Sequence, residues 1–491
     1  MESLKSRWQA LDRDARIALV GLVALVGMAV GVRAWLMGSY PPAFLGFPDS
    51  YQYAFAAAKG IFSNTQHPAG YPFFLRLVHH LSNTLSFTIA VQHVIGVATG
   101  VLLYMSVRRT GAPPWLGLIP AAIVFFGGTG LILEHSLLSD PLLAFLQAVG
   151  VYFAIRALYD RSIRWPLLAG IAIGLSFWVR TVAISSAILI PIVLLCAAPG
   201  GARRRALSAL TASLAIVALI IAYVGFQDYF TGYLGYERQG AWNLYARVAT
   251  FVNCSDFTPP SGTRFLCPPE PPGHRREQNY YQYASTAPAV KRLGLPFVAP
   301  AYANALLQKF SIAAIEHQPV AYIEAIIRGL GFYVFPRLGE GYTPQSLSAE
   351  MMSPAQAQAF QAGFTLLYAE SLGYTHSTAL QPLLAYEKYT LVQGPLLIIL
   401  LVAAIAGPFF LPRRMRWAAA IFTLTALFSI TFAVAGDSYD ARFAYVTFGP
   451  LAAGAALGAW GIGLFLARTI RQRRRPAGSP EVEVRSGPRL P

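Results

Sequence analysis

Long apolar runs separated by short basic connections constrain the fold of this chain more than any other feature. Such runs occupy residues 17–35, 85–107, 206–224, 391–410 and 443–466. Each approaches or exceeds the roughly 20 residues that a helix needs to cross the core of a bilayer. With 55% hydrophobic and only 12% charged residues, the 491-residue chain has too few charges to cover a soluble protein of its size. The sequence therefore predicts an all-α polytopic membrane protein.

The apolar pattern predicts about ten transmembrane helices, each near the length that a bilayer requires. We place them at residues 17–37, 85–107, 114–133, 141–158, 165–179, 182–198, 206–226, 391–411, 416–435 and 443–466. The stretch 165–196 is short for two spans, but a single span there would put the basic cluster that follows it on the outer side. We therefore expect two short spans that meet near Arg180.

Basic residues mark every second connection between these spans. They lie at Arg13 and Arg16, Arg108 and Arg109, Arg156, Arg161 and Arg164, Arg203 to Arg205, Arg413, Arg414 and Arg416, and Arg468 to Arg475. Because cytoplasmic connections carry an excess of Lys and Arg, both termini are predicted to be cytoplasmic. The same placement explains the formal charge of +16 without nucleic-acid binding, for which the sequence has no pattern.

The spans divide the chain into four predicted parts. Residues 1–226 form an N-terminal transmembrane module whose first outer loop, 38–84, carries catalytic candidates, and residues 227–390 form an extracytoplasmic helical loop domain. Residues 391–470 hold the C-terminal transmembrane helices, and 471–491 a disordered cytoplasmic tail. The first run lacks a small-residue cleavage site, so we expect a retained anchor rather than a signal peptide.

Acidic residues and a histidine collect on the predicted outer face. Asp49 could deprotonate an acceptor hydroxyl, or it could cap the helix that begins at Ser50. His67 could line the same cavity or begin a Pro-rich turn. Asp140 starts a predicted helix as a cap or as a site acid, and Glu134 is a further candidate on the same face.

Two arginines lie at outer membrane boundaries, against the positive-inside trend. Arg180 and Arg442 have the planar, bidentate geometry that suits the phosphate of a lipid-linked substrate, although snorkelling to the interface would also explain them. Arg328 and Arg337 are weaker candidates for the same role.

Other site types find little support in the sequence. There is no Gly-rich phosphate cradle joined to a Lys, no Cys-x-x-Cys pair and no His-x-x-x-His helix. A metal held by His67, Glu134 and His135 has no supporting spacing, so no metal site is predicted. His93 is interpreted as an interfacial or packing residue. Cys254 and Cys267 share one polar segment and could pair only in an oxidising compartment.

These residues resemble the multi-span glycosyltransferases of the GT-C superfamily, in the branch of dolichyl-phosphate-mannose protein mannosyltransferases and aminoarabinose transferases. The resemblance covers the N-terminal module up to the sixth span. It rests on Asp49 with Tyr53, on the His-Pro-Ala-Gly-Tyr-Pro segment 67–72, on Asp140-Pro141 and on the apolar run broken by Arg180-Thr181. It implies that Asp49 is the general base, that Asp140 is the acid of the second loop, and that His67 approaches the donor phosphate.

Two further segments are similar to members of this superfamily. Residues 240–249, with Cys254 and the segment 266–268, are similar to a loop of actinobacterial members, which implies a Cys254–Cys267 disulfide. The turn 436–443 resembles the Arg-Tyr entry to a late span, with Phe443 in place of the Tyr. Ser50 stands where the protein mannosyltransferase branch has a second acid, so a protein Ser or Thr acceptor does not follow.

The resemblance implies an inverting sugar transfer that needs no cofactor and at most a weakly required divalent metal. His67, Arg180 and Arg442 would stabilise the departing polyprenyl phosphate, since preorganised donors act on developing charge. The expected partners are a polyprenyl-phosphate sugar donor, a glycan, lipid or protein acceptor, and membrane lipids. The expected location is the plasma or inner membrane, with the active site outside the cytoplasm.

Two alternatives from other functional classes stay open. A lipid-linked glycan flippase or transporter could use a basic cavity within ten spans, but transporters tend to have paired half-repeats and ionisable residues near the midplane. A glycan ligase could use the loop arginines without a first-loop Asp. The polar residues here lie on one face, which favours the transferase.

Overall fold

A computed structural model describes residues 12–45, 48–335, 366–368, 381–437 and 439–473 of the chain. Within these ranges the regular elements are helices, and β-type pairing is confined to an isolated parallel bridge between Phe44 and Ser136. The predicted all-α fold is therefore confirmed. Of the predicted tail, residues 474–491 lie outside the described ranges, as does Arg337.

The helices of the described ranges are numbered in chain order. They are α1 (Arg13–Ser39), α2 (Pro48–Lys59), α3 (Gly70–His79), α4 (Leu85–Arg109), α5 (Leu118–Phe126), α6 (Gly128–His135), α7 (Asp140–Tyr159), α8 (Arg164–Val179), α9 (Ile184–Ala197), α10 (Ala202–Thr231), α11 (Gln239–Ala249), α12 (Gln278–Tyr283), α13 (Pro288–Leu293), α14 (Tyr302–His317), α15 (Pro319–Val334), α16 (Gln381–Thr390), α17 (Gly394–Ala406), α18 (Arg413–Gly436) and α19 (Ala441–Arg473). Short 3₁₀ turns at Pro114–Gly117 and Thr181–Ala183 lead into α5 and α9.

Apolar helices occupy all ten positions where a span was predicted. Among the described residues, seven segments are long and apolar enough to cross a membrane, and they comprise α1, α4, α7, α10, the α16–α17 segment, α18 and α19. A bent pair, Pro114–Phe126 with α6, adds an eighth. The shorter apolar helices α8 and α9 coincide with the two short spans predicted beside Arg180. The chain is a multi-pass membrane protein.

The third predicted span is broken rather than straight. Its two helices, α5 and α6, meet at Gly127 with a bend of 52°, and Gly127 itself has extended backbone with ψ of 118°. A broken helix inside a bilayer needs new partners for its freed backbone groups. Here the N–H of Gly128 donates to Thr390 Oγ1 over 2.9 Å, so α16 packs into the break.

The second break lies between α8 and α9 and brings a charged side chain to a helix boundary. Arg180 has extended backbone, with φ of −155° and ψ of 143°, and it ends α8. Two separate short helices result, as the charge pattern predicted. Because Arg180 lies at the junction, its guanidinium can leave the apolar bundle without breaking a continuous helix.

A separate hydrophobic core holds the loop between α10 and α15 together. Trp242, Tyr245, Tyr281 and Phe310 are fully buried within it. Cys254 and Cys267 form a disulfide with a Cα–Cα distance of 6.1 Å. Helix α15, near the end of this loop, contacts α18 through the hydrogen bond from Tyr322 Oη to the carbonyl oxygen of Ala435, 2.9 Å long.

Candidate active site

Two carboxylates and two guanidinium groups meet where four helices begin or end. Arg442 Nη2 lies 3.0 Å from Asp49 Oδ2, and Arg442 Nε lies 3.7 Å from Asp140 Oδ2. Arg180 Nη1 lies 3.6 Å from Asp140 Oδ1. Arg442 therefore bridges the two acids, and Asp140 bridges the two arginines. We call these four residues the ion cluster.

The sequence positions each member of the ion cluster at a helix terminus. Asp49 lies in the first turn of α2 and Asp140 is the first residue of α7. A carboxylate at the start of a helix also interacts favourably with the helix dipole. Arg180 lies at the α8–α9 junction. Arg442 is in the first turn of α19, and its backbone N–H donates to Asp440 Oδ1 over 2.8 Å, which fixes the start of that helix.

Exposure within the ion cluster is graded. The side chain of Asp140 is 1% exposed, whereas those of Asp49 and Arg180 are each 20% exposed. Asp140 is thus the buried anchor, and Asp49 and Arg180 present atoms to an incoming molecule. A guanidinium carries five N–H donors, and Arg180 directs one nitrogen, Nη1, to Asp140 and to Ser139 Oγ at 3.5 Å. Donors on Arg180 therefore remain for an anion.

An aromatic and hydroxyl wall surrounds Asp49. Tyr53 Oη and Ser139 Oγ share a hydrogen bond of 3.0 Å, which ties α2 to the start of α7. The Tyr53 ring lies 5.2 Å from the ring of His67 and 4.8 Å from that of Tyr71. His67 Nε2 in turn lies 3.6 Å from Asp49 Oδ1. The predicted candidates Tyr53 and His67 are therefore both at the site.

Phe443 supports the two arginines from the other side. Its ring centroid lies 5.5 Å from the guanidinium carbon of Arg180 and 5.8 Å from that of Arg442. Cations are attracted to an aromatic face at such distances. The ring that replaces the Tyr of the resembled motif therefore lies within cation–π distance of both guanidinium groups.

The ion cluster fixes the protonation of Asp49 and His67. Burial raises the pKa of Asp49, but the charges of Arg442, His67 and Arg180 together outweigh burial and lower that pKa from 3.8 to about 2. Burial lowers the pKa of His67 from 6.5, and the neighbouring Asp49 offsets this only in part. At neutral pH Asp49 is ionised and His67 is a neutral hydrogen-bonding group.

Residues of the loop domain close over the ion cluster. Glu237 Oε1 accepts a 2.9 Å hydrogen bond from Thr181 Oγ1, next to Arg180. Asp437 accepts from Asn243 Nδ2 over 2.9 Å and from Gln278 Nε2 over 2.6 Å. Glu237 was not predicted from the sequence, because a single acid after a span forms no motif. The available signal was its place among the first residues after α10 on the predicted outer side.

Glu134 does not join the ion cluster. Its side chain is fully buried and receives two 2.8 Å hydrogen bonds from Arg33, through Nε and Nη2. His93 Nδ1 lies 3.0 Å from Glu134 Oε2, and His93 Nε2 lies 3.1 Å from His135 Nδ1. His135 Nε2 reaches the carbonyl oxygen of Tyr40 over 2.7 Å. Of the two interpretations of His93, interfacial or packing, the structure contradicts the first, because this histidine is buried and belongs to an ion-pair network.

One glutamine connects that buried network to the site wall. Gln92 Oε1 accepts from Tyr71 Oη over 2.5 Å, while Gln92 Nε2 donates to the carbonyl oxygens of Glu134 and Ser136. Glu134 is therefore a supporting residue behind the wall. Arg328 also lies away from the ion cluster, on the exposed side of α15. Among the described residues, no group of three or more His, Cys, Asp or Glu side chains is arranged to hold a metal.

One family model matches part of the chain. The model described as dolichyl-phosphate-mannose-protein mannosyltransferase matches residues 66–225. The predicted resemblance is confirmed over this segment, which contains His67, Asp140 and Arg180, and it supports a glycosyltransferase-type membrane enzyme. Asp49 and Arg442 lie outside the matched residues. Among curated protein sequences, none matches the chain.

Solved structures match the chain at low similarity. The Archaeoglobus fulgidus oligosaccharyltransferase in its apo form gives a TM-score of 0.45 at 13% identity, over 94% of this chain and 53% of that chain. AglB of the same organism, in complex with an inhibitory peptide and a dolichol-phosphate, gives 0.45 at 12% identity, over 94% and 52%. ArnT from Cupriavidus metallidurans, bound to undecaprenyl phosphate, gives 0.34 at 15% identity, over 93% and 81%. The chain spans about half the length of the archaeal enzyme.

Proposed function

We propose that this protein transfers a sugar from a polyprenyl-phosphate donor to an acceptor hydroxyl at the ion cluster. The observation that carries this proposal is the convergence of Asp49, Arg442, Asp140 and Arg180 from four separate helix ends. An ionised carboxylate beside two fixed guanidinium groups supplies a base and an anion-binding site that are close to each other. Transfer of a glycosyl group between a hydroxyl and a phosphate needs both.

In this mechanism the phosphate of the donor binds Arg180 and Arg442. Asp49 removes the proton from the acceptor hydroxyl, whose oxygen forms a bond to the anomeric carbon while the bond from that carbon to the phosphate oxygen breaks. Donor binding also prepares the base, because a phosphate that competes for Arg442 withdraws a cation from Asp49. Losing that cation raises the pKa of Asp49, and a base of higher pKa accepts a proton more readily.

The donor class is proposed on two supports. The family model that matches residues 66–225 is named for a dolichyl-phosphate-mannose-dependent activity, and ArnT and AglB were solved with undecaprenyl phosphate and dolichol-phosphate. The sugar and the acceptor stay open. His67 would hydrogen-bond the phosphate as a neutral group, and no metal or other cofactor enters the proposed steps.

The outer face of the membrane is proposed as the site of reaction. The ion cluster lies at the ends of spans opposite the basic connections, which the positive-inside rule assigns to the cytoplasm. The Cys254–Cys267 disulfide in the loop domain agrees with this side, because disulfides persist in oxidising compartments.

The experiment that tests the function uses the purified full chain in lipid nanodiscs. Donors carrying labelled mannose or aminoarabinose on a polyprenyl phosphate are offered with glycan, lipid and peptide acceptors, and released polyprenyl phosphate and labelled product are measured. The wild type should transfer one of the sugars, and Asp49→Asn should abolish transfer while the protein stays folded.

The matched control is Asp12→Asn. Asp12 caps α1 by accepting from the backbone N–H of Ala15, and Asn caps helices equally well, so activity should be unchanged. Wild-type activity retained by Asp49→Asn would remove Asp49 from the role of base. In proteoliposomes, movement of the donor across the bilayer without release of polyprenyl phosphate would replace the transferase with a flippase.

A further inference from the structure

Glu237 is a carboxylate of the site that the proposed reaction does not yet use. It lies in the turn between α10 and α11, after Gly232, which ends α10 in the left-handed conformation with φ of 65°. Its Oε1 accepts from Thr181 Oγ1 over 2.9 Å, so one carboxyl oxygen is engaged at the α8–α9 junction. The side chain is half-buried, and Thr181 is exposed. Glu237 therefore lines an accessible edge of the site beside Arg180.

Charged and titratable groups face Glu237 from every element packed around it. Arg180 approaches from the α8–α9 junction and Asp437 from the end of α18. Tyr223 of α10 and Tyr236 also interact with the Glu237 side chain. Tyr233 of the same turn donates to the backbone carbonyl oxygen of Glu237 over 3.2 Å. The charges that shift the pKa of Glu237 are thus one cation and one anion, and the anion is already bound by two amide groups.

A second polar group near Glu237 also faces the site. The hydroxyl of Tyr236 is buried and has no hydrogen-bond partner within the described part of the chain. Its ring packs 4.3 Å from that of Phe177 and 4.7 Å from that of Tyr223, which holds it in place. Arg180 and Tyr53 are among the groups that interact electrostatically with this hydroxyl. Buried hydroxyl groups are normally hydrogen-bonded, so a polar molecule between the turn and Arg180 would supply the partner that this hydroxyl needs.

The two carboxylates of the site have opposite protonation tendencies. Burial raises the pKa of Glu237 from 4.5 to about 7, although Thr181 and Arg180 act in the other direction. The pKa of Asp49 is about 2. A pair of carboxyl groups whose environments separate their pKa values in this way matches the division of labour between a general acid and a general base.

We propose that protonated Glu237 donates a hydrogen bond to the donor phosphate held by Arg180, and delivers its proton to that phosphate as the sugar departs. The reasoning is electrostatic: an ionised Glu237 would repel a phosphate at Arg180, whereas a neutral carboxyl group can donate to it. Oε1 stays with Thr181, which leaves Oε2 to carry the proton. This role rests on the proposed transferase function.

The protons balance in the sugar transfer with Glu237 as acid. The acceptor O–H bond breaks and its proton goes to Asp49, while the acceptor oxygen bonds to the anomeric carbon. The bond from that carbon to the phosphate oxygen breaks, and the Glu237 proton passes to the phosphate, which leaves as a monoanion. A phosphate monoester has a second pKa of about 6, close to that of Glu237, so the transfer is nearly matched in free energy. Water then takes the proton from Asp49 and returns one to Glu237.

The experiment measures donor binding and turnover against pH for wild type and Glu237→Gln. The probe is a short-chain polyprenyl-phosphate mannose, a phosphodiester whose single negative charge does not change between pH 6 and pH 8.5. Wild-type affinity should fall by about tenfold per pH unit above the pKa of Glu237, because binding must then take up a proton. Glu237→Gln should bind equally at both pH values, so that at pH 8.5 it binds at least tenfold more tightly than wild type.

Turnover should change in the opposite direction. Gln can donate a hydrogen bond but cannot release a proton, so turnover by Glu237→Gln at pH 6 should fall on the order of 10²-fold. Tighter binding at high pH together with slower turnover is a combination that a merely structural Glu237 would not produce. The control Glu277→Gln, in an exposed residue before α12, should behave as wild type in both measurements.

A second variant keeps the test decisive. The Thr181 hydroxyl lowers the pKa of Glu237, so Thr181→Val should shift the loss of wild-type binding to higher pH. If the pH dependence of binding persists in Glu237→Gln, the acid role of Glu237 is wrong, whatever the transferase does. If wild type binds neither this probe nor its aminoarabinose counterpart even at pH 6, the proposed function itself fails and this role with it.

Discussion

Arg442 Nη2 donates a 3.0 Å hydrogen bond to Asp49 Oδ2, although 393 residues separate the two in sequence. This bond joins the first outer loop to the start of the last span. Neither residue therefore serves only to begin a helix. Each side chain holds the other in place, and Asp140 joins both in the ion cluster.

Replacing Arg442 with Lys should lower sugar transfer far more than the loss of one hydrogen bond would. Arg442 addresses Asp49 and Asp140 with different nitrogens, Nη2 and Nε, and a single ammonium cannot reproduce that fork. We expect Arg442→Lys to lower transfer on the order of 10²-fold, the usual effect of removing one fixed donor from developing charge. Labelled-sugar transfer measures the change. Arg413→Lys, at the exposed first residue of α18, should leave labelled-sugar transfer unaltered.

His67 should make stability depend on pH near neutrality. Burial holds its folded-state pKa below 6.5, so the unfolded chain binds the proton more tightly than the folded chain. Stability should therefore be complete above pH 6.5 and should decline as the pH falls below it. Thermal unfolding at pH 5 and pH 7.5 measures the decline, which should be smaller in His67→Gln. His274→Gln, at an exposed loop position, should keep the full wild-type decline.

The spans could be predicted from the sequence, and the pairings between them could not. Hydrophobic runs and the alternation of basic connections are local signals, and they located even the break at Arg180. Packing of the whole bundle decides which helix ends meet, so no local pattern could predict the hydrogen bond between Asp49 and Arg442. The bend at Gly127 was missed because it depends on Thr390, more than 250 residues away.

The buried pair of Arg33 and Glu134 had a signal that was not used. Arg33 lies inside the first predicted span, and a charge at membrane depth calls for a partner from another helix. Glu134 was assigned to the outer face because it follows an apolar run. Helix α6 instead continues to His135 and turns Glu134 inward, against α4, where a Cβ at Gly96 would overlap the Glu134 carboxylate.

Removing one partner of that pair should destabilise the protein strongly. Glu134→Gln leaves the guanidinium of Arg33 buried without a counter-charge, and breaking a buried ion pair costs about 3–5 kcal/mol. The double variant Arg33→Met with Glu134→Gln should be less destabilised than the sum of the two single variants, because it removes the uncompensated charge. A double-mutant cycle of unfolding free energies measures this coupling, and strict additivity would contradict the pairing.

Two glycines of α19 give a matched test of helix packing. A Cβ at Gly458 would overlap the carbonyl oxygen of Ala403, whereas a Cβ at Gly463 would meet nothing within 4 Å. Gly458→Ala should therefore destabilise the protein by about 1–3 kcal/mol, the usual cost of overpacking. Gly463→Ala should be neutral or slightly stabilising, because Ala favours a helix more than Gly does. Equal unfolding temperatures for the two variants would contradict the close approach of α17 and α19.

The disulfide of the loop domain should stabilise that domain and report its side of the membrane. Cys254 and Cys267 are separated by 13 residues, and closing a loop of this size contributes about 2–4 kcal/mol by constraining the unfolded chain. The double variant Cys254→Ser with Cys267→Ser should lower the temperature at which protease cleaves the loop domain, and a reductant should lower it to the same extent in wild type. Cys196→Ser, which removes the free cysteine of α9, should leave that temperature unchanged.

In intact cells, an impermeant thiol reagent should label Cys254 and Cys267 only after reduction from outside. Absence of labelling after reduction in intact cells, with labelling once the membrane is permeabilised, would place the loop in the cytoplasm and overturn the predicted topology.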